Sequence, residues 1–190
     1  MDRIREAVQV LQHDGLVIYP TETIYGLGAD AFSEEAILKV YAAKRRPLSQ
    51  PISIAVSSPD MIAAVARVSA SARQFINRFL PGPVTVVLPA RDSVPPVLTG
   101  GTGMIGIRFP SHPLAIQLID CFDCPITSTS ANIHGARDPA SPGECHVPHD
   151  FLIDAGRLPG VPSTVVDLVS RIILRRGAQV SEVEEFLSTW

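Results

Sequence analysis

Ser163-Thr164-Val165-Val166-Asp167-Leu168, then Val169-Ser170-Arg171, then Ile172-Ile173-Leu174-Arg175, is the stretch that decides what kind of sheet this chain builds. Both outer runs are rich in β-branched residues and read as strands. A parallel pair needs a crossover of about a dozen residues or more, and three residues leave room only for a hairpin. The sheet therefore contains an antiparallel pair. Upstream, apolar runs at Pro125 to Ser128, Met104 to Phe109, Val84 to Leu88, Ile52 to Val56 and Leu16 to Tyr19 also read as strands. Helical periodicity separates many of them. Pro113 to Ile119 is one helix, Ser69 opens another that ends at Phe79-Leu80, and Ser58-Pro59 opens a third. Ser33 caps a helix carrying Ile37, Val40 and Tyr41, and Asp2 caps a first helix that Gly15 ends. Ser181 with Glu184 has the spacing of a capping box for the last helix. Residues 129–149 are polar and aperiodic and read as a loop. Some connections are long enough for a crossover helix and others are not. The expected fold class is α/β, a mixed, twisted open sheet flanked by helices, in one domain over 1–190.

Composition agrees with that class and excludes others. The chain has 190 residues, 46% hydrophobic but only 6% aromatic, so the core is aliphatic. A net charge of −3 gives no global basic field of the kind that coats nucleic acid. Lys39 and Lys44 are the only lysines beside fourteen arginines. No apolar run is long enough to span a bilayer and no secretory signal opens the chain, so the expected location is the cytoplasm, away from membranes. Three cysteines, Cys121, Cys124 and Cys145, fit reduced thiols there. With His146 and His149 they could supply zinc ligands, but the spacing forms no paired knuckle and small buried thiols are the better reading.

Three motifs fall short of their usual meaning. Gly26-Leu27-Gly28-Ala29-Asp30-Ala31 has the spacing of a dinucleotide-binding turn. Six residues separate it from the preceding strand, however, and Lys44-Arg45-Arg46-Pro47 lies where an acidic ribose partner belongs. Neither lysine sits in a phosphate-binding P-loop. Ser130-Ala131-Asn132 matches one element of serine acyl enzymes, whose other two elements are missing.

What remains is a set of polar strand ends. Pro20-Thr21-Glu22-Thr23-Ile24-Tyr25-Gly26 follows the first strand. Lys44-Arg45-Arg46-Pro47 ends a helix, and Arg108 ends an apolar strand, where an internal salt bridge would also account for it. Thr127-Ser128-Thr129-Ser130-Ala131-Asn132 lies at and beyond another strand, and Ser163-Thr164 and Arg175-Arg176 add hydroxyls and cations. Ligands of open α/β sheets bind beyond the carboxyl ends of strands. Cations and hydroxyls without a paired acid and base suit phosphoryl or nucleotidyl transfer, which needs mainly positioning and charge stabilisation.

These segments resemble the YrdC family, also called TsaC, of threonylcarbamoyl-AMP synthases in its single-domain form. The resemblance runs from about Leu16 to Gly177 and rests on seven motifs in order: Pro20 to Gly28, Lys44-x-Arg46-Pro47, Pro81-Gly82-Pro83-Val84-Thr85, Ile107 to Pro113, Ser128 to Asn132, Ser163 to Asp167, and Ile173-Leu174-Arg175. It implies a wide, positively charged cavity that binds ATP with magnesium, L-threonine and bicarbonate. Lys44, Arg46, Ser130, Asn132 and Arg175 would face the nucleotide, with Lys44 and Arg46 as the catalytic pair. Thr21, Arg108, Ser128 and Ser163 would hold threonine, Arg108 on its carboxylate. Magnesium would arrive with ATP and need no protein side chain. The product would pass to a tRNA-modifying transferase complex, and a weak contact to tRNA would fall on the basic residues. Arg45, Arg176, Gln50 and Ala55 depart from the family pattern, and ending at Trp190 implies no further C-terminal domain. An RNA-binding module and a carbamoyl-adenylate enzyme of the same fold are the alternatives. Threonine-dependent exchange of pyrophosphate into ATP separates all three.

Overall fold

A computed structural model describes residues 2–190. Its centre is a nine-stranded sheet: β1 (Val17–Pro20), β2 (Tyr25–Gly28), β3 (Ser53–Ala55), β4 (Val84–Pro89), β5 (Met104–Arg108), β6 (Ile126–Ser130), β7 (Phe151–Leu152), β8 (Thr164–Asp167) and β9 (Ile172–Arg175), in the order β7-β1-β2-β6-β3-β5-β4-β8-β9. The β1/β7, β3/β5 and β4/β8 pairs are parallel and the rest antiparallel, so the sheet is mixed. The hairpin read from 163–175 is the β8/β9 pair, with Val166 opposite Ile173.

Among the described residues seven α-helices flank the sheet: α1 (Asp2–Gln12), α2 (Glu34–Lys44), α3 (Pro59–Val65), α4 (Ala70–Phe79), α5 (Pro96–Thr99), α6 (Pro113–Phe122) and α7 (Val180–Ser188). Ser33, Ser58 and Ser69 each accept a hydrogen bond from a first-turn amide, as their caps predict. The capping box of the last helix does not form. Gln179 caps α7 with left-handed backbone, and Glu184 pairs with Arg176 instead. Among the described residues no helix is long and apolar enough to cross a membrane.

Side chains alternate between the two faces of a strand, and that alternation makes both core and site. Val84, Val86 and Leu88 of β4, Ile105 and Ile107 of β5, and Ile54 of β3 point into the larger apolar cluster. Residues of α2, α3, α4, α5 and α7 complete it, and Phe75, Phe79, Phe186 and Trp190 stack where α4 meets α7. The opposite face carries Val17, Tyr19, Ala55 and Ile126, which α1 and α6 cover. Those two helices cover only part of the face. The rest, around Thr85, Val87, Gly106, Arg108 and Ser128, stays open.

Three elements escaped the pattern analysis. β2 lies within the hydroxyl-rich segment and its Gly26 and Gly28 carry no strand signal. The structure explains them: a Cβ at either glycine would come within 3.0 Å of the Tyr19 ring, which lies across β2. The Gly-x-Gly spacing thus serves close strand packing and no dinucleotide turn. β7 has two residues and α5 four, too few for a period to show.

Candidate active site

The open half of the sheet face is the floor of a cavity of about 450 Å3. Of the nine residues singled out from sequence, Thr21, Arg46, Arg108, Ser128, Ser130, Ser163 and Arg175 line it. Lys44 and Asn132 do not; they lie behind its wall. Gly106 keeps the floor low, since a Cβ there would stand 2.2 Å from Ser53 Oγ.

At one end Arg108 closes β5, beside Thr85 of β4 and Ala55 of β3. It is 3% exposed. Its guanidinium donates to the carbonyls of Val84 (3.5 Å) and Phe109 (3.3 Å) and forms an ion pair with Glu22. Burial lowers its pKa, while the Glu22 carboxylate works the other way. Thr21 sits close by in a tight turn. Its Oγ1 accepts from the amides of Thr23 and Ile24 at 3.2 Å and donates to the Ile24 carbonyl at 2.7 Å. Tyr19 lies beneath, its phenol pushed up to about 12 chiefly by complete burial.

On the other side of Thr85, Ser163 Oγ lies 2.8 Å from Thr85 Oγ1. Arg175 Nη2 donates to Ser163 Oγ at 2.9 Å and to the Ser163 carbonyl at 2.9 Å. Burial lowers the Arg175 pKa; Asp138 raises it and Arg108 lowers it again, so the two guanidiniums feel one another. The β8/β9 hairpin is what brings Arg175 to Ser163.

The Lys44-Arg45-Arg46 run splits. Arg45 takes a left-handed conformation (φ 52°) that ends α2. Lys44 before it turns inward and Arg46 after it faces the cavity. Arg46 Nη2 donates to the Pro51 carbonyl at 2.9 Å and Nε to that of Gln50 at 3.4 Å. Lys44 is 1% exposed. Its ammonium donates to the Ser130 carbonyl, to the Asn132 carbonyl at 2.8 Å and to Asn132 Oδ1 at 3.1 Å. Asn132 Oδ1 also accepts from Ser130 Oγ at 2.6 Å, and its Nδ2 donates to the Ala136 carbonyl at 2.6 Å. Desolvation, followed by the Arg46 charge, lowers the Lys44 pKa to about 8. Lys44 and Asn132 therefore hold the Ser130 segment from behind.

Charge in the cavity is lopsided. Arg46, Arg108 and Arg175 line it against one carboxylate, Asp167, whose Oδ1 is engaged by the amides of Val169 (2.8 Å) and Ser170 (3.2 Å). No histidine, cysteine or lysine is among the described lining residues. Such a lining suits anions, and no nucleophile–base pair is among its described residues. Among the described residues no three His, Cys, Asp or Glu side chains gather as metal ligands. Cys121 and Cys124 flank the end of α6, while Cys145 is buried in the larger core cluster. Burial pushes the thiols of Cys124 and Cys145 up to about 11. Sequence reasoning missed Glu22, although it is the one charge in its hydroxyl-rich segment.

The family described as "Telomere recombination", Sua5/YciO/YrdC, matches residues 9–177. A threonylcarbamoyl-AMP synthase of Pyrococcus abyssi is 38% identical over 97% of this chain, and one of Bacillus subtilis 35% over 95%. The chain spans 57% and 55% of those two proteins, a little over half their length. A threonylcarbamoyl-AMP synthase of Klebsiella pneumoniae is 32% identical, with 93% of this chain and 96% of the relative covered. Among solved structures, P. abyssi Sua5 complexed with L-threonine superposes with a TM-score of 0.92 at 37% identity, over 96% of this chain and 56% of that one. E. coli YciO gives 0.87 at 25% identity, over 95% and 91%. Sequence motifs, sheet order and these likenesses agree, and the chain belongs to the Sua5/YciO/YrdC family.

Proposed function

We propose that this chain is an L-threonylcarbamoyladenylate synthase, a nucleotidyltransferase that condenses L-threonine, bicarbonate and ATP to threonylcarbamoyl-AMP and pyrophosphate. The observation that carries the reading is the cavity itself: three arginines and a ring of hydroxyls, with no histidine, cysteine or lysine among its described lining residues. A phosphate chain and a carboxylate are the ligands such a lining matches. The P. abyssi Sua5 structure with L-threonine supports the amino-acid half of the reading.

In this reading the Arg108 end takes threonine. Arg108 meets its carboxylate, and Thr21, Ser128 and Ser163 surround it with hydroxyls. Arg46, Ser130 and Arg175 take the nucleotide. The threonine amine adds to bicarbonate, losing water, and gives an N-carboxylate. One oxygen of that carbamate attacks the α-phosphorus of ATP, and the bond to the departing pyrophosphate breaks. Arg46 stabilises the charge that develops on it. Lys44 serves the same step through Ser130 and Asn132, which it fixes. A lining with one engaged carboxylate fits a magnesium ion that arrives on the phosphates. When bound, magnesium offsets phosphate charge. The product then serves a cytoplasmic transferase complex that modifies tRNA, with weak tRNA contact through the basic residues.

Incubation with 13C-bicarbonate, threonine, ATP and magnesium, followed by mass spectrometry, tests the reading. A nucleotide carrying threonine and one 13C is expected. AMP without threonine, or no new nucleotide, overturns it.

A further inference from the structure

Glu22 lies between β1 and β2 and contributes nothing to the cavity lining, whereas Arg108, its partner, does. A guanidinium has five N–H groups. On Arg108 the two of Nη1 reach the Val84 and Phe109 carbonyls, and one of Nη2 reaches Glu22. Nε–H and the second Nη2–H find no acceptor among the described residues, and Nε is not sealed from solvent. A carboxylate takes two N–H groups of a guanidinium side by side. Glu22 is itself poorly satisfied, for its Oε2 is buried and accepts nothing. A charge pair with one half-buried partner and an orphaned oxygen is a weak source of stability. Without Glu22, moreover, Arg108 would share this cavity with Arg175 uncompensated.

We infer that Glu22 is the positioning residue for Arg108: from behind the cavity wall it neutralises the guanidinium and turns its two spare N–H groups toward a ligand carboxylate. The inference rests on the reading of Arg108 as the threonine contact. Glu22 acts through Arg108 and touches no substrate.

Calorimetric binding of L-threonine and, separately, of ATP to wild type, Glu22→Gln and Glu22→Asp tests it. Glu22→Gln is expected to weaken threonine binding by about tenfold or more, as lost charge-assisted orientation does, and to leave ATP binding within about twofold. Glu22→Asp keeps the charge and is expected to recover part of the threonine affinity; should Glu22→Gln fail to fold, Glu22→Asp must still weaken threonine more than ATP. In the ligand-free protein, nitrogen NMR of Arg108 is expected to show Nη2 rotation held in wild type and released in Glu22→Gln. Tighter threonine binding in Glu22→Gln would make Glu22 a competitor for Arg108 and overturn the inference. Unchanged threonine binding, or equal losses for both ligands, would also overturn it. Wild type that binds no threonine would sink the proposed function instead, and the NMR comparison would still judge Glu22.

Discussion

Arg108 and Lys44 are both buried cations, at 3% and 1% exposure, and the chain treats them in opposite ways. Arg108 is paired with a carboxylate and lines the cavity. Lys44 has no carboxylate partner among the described residues; it spends its hydrogen bonds on two carbonyls and a side-chain amide oxygen and does not line this cavity. The difference shows two ways a buried charge can serve a site. One presents itself to the ligand, and the other holds the segment that does. Motif spacing alone cannot separate them, since Lys44 and Arg46 stand one residue apart and point apart because Arg45 turns left-handed between them.

The largest effect that would sharpen the contrast is on ligand binding. Arg108→Ala removes two charge-assisted contacts of about 1.5–3 kcal/mol each, so threonine affinity should fall by about a hundredfold or more with ATP affinity little changed. Equal losses in calorimetry would erase the distinction. Arg46→Ala should lower turnover by roughly 10²–10³ while leaving the melting temperature nearly intact. Lys44→Met should act first on stability, because it strands acceptors that cost about 1–3 kcal/mol each when unpaired. A Lys44→Met, Arg46→Ala double variant that turns over within a few-fold of wild type would break the account of both residues.

A subtler test uses pH. The Lys44 pKa falls from 10.5 unfolded to about 8 folded, so the unfolded chain holds more protons between those values. Stability should therefore rise with pH from about 8, by at most about 1.4 kcal/mol per unit for one proton. Cys124 and Cys145 oppose this above about 9 and Tyr19 above 10, because their folded pKa values are raised to about 11 and about 12 and their contributions are lost as pH climbs through those ranges. Denaturant titrations from pH 8 to 9, below the range in which the two thiols titrate, should show the rise in wild type and its loss in Lys44→Met; parallel curves would contradict the Lys44 assignment. The smallest effect concerns the thiols. Cys121→Ser should change neither metal content nor activity, whereas one zinc per chain, lost in that variant, would restore the zinc reading.

Much of this was legible in the chain. Apolar runs such as Val84 to Leu88 were readable as strands, while their facing comes from the structure, where Val84, Val86 and Leu88 enter the core and Thr85 and Val87 line the cavity. The 163–175 hairpin was readable from its short connection. Of the nine residues singled out for their hydroxyls, amide or charge, seven line the cavity. Two things were not readable. A side chain's direction at a helix end depends on the turn that follows, so Lys44 was not separable from Arg46. Partners distant in sequence are also silent, and Glu22 and Arg108 are 86 residues apart.

Pyrophosphate release by wild-type protein, with each substrate omitted in turn, tests the central claim most directly. The account predicts release with ATP, magnesium, threonine and bicarbonate together, and loss of that release when either threonine or bicarbonate is withheld. Release that continues without threonine, or none with all four present, would contradict it.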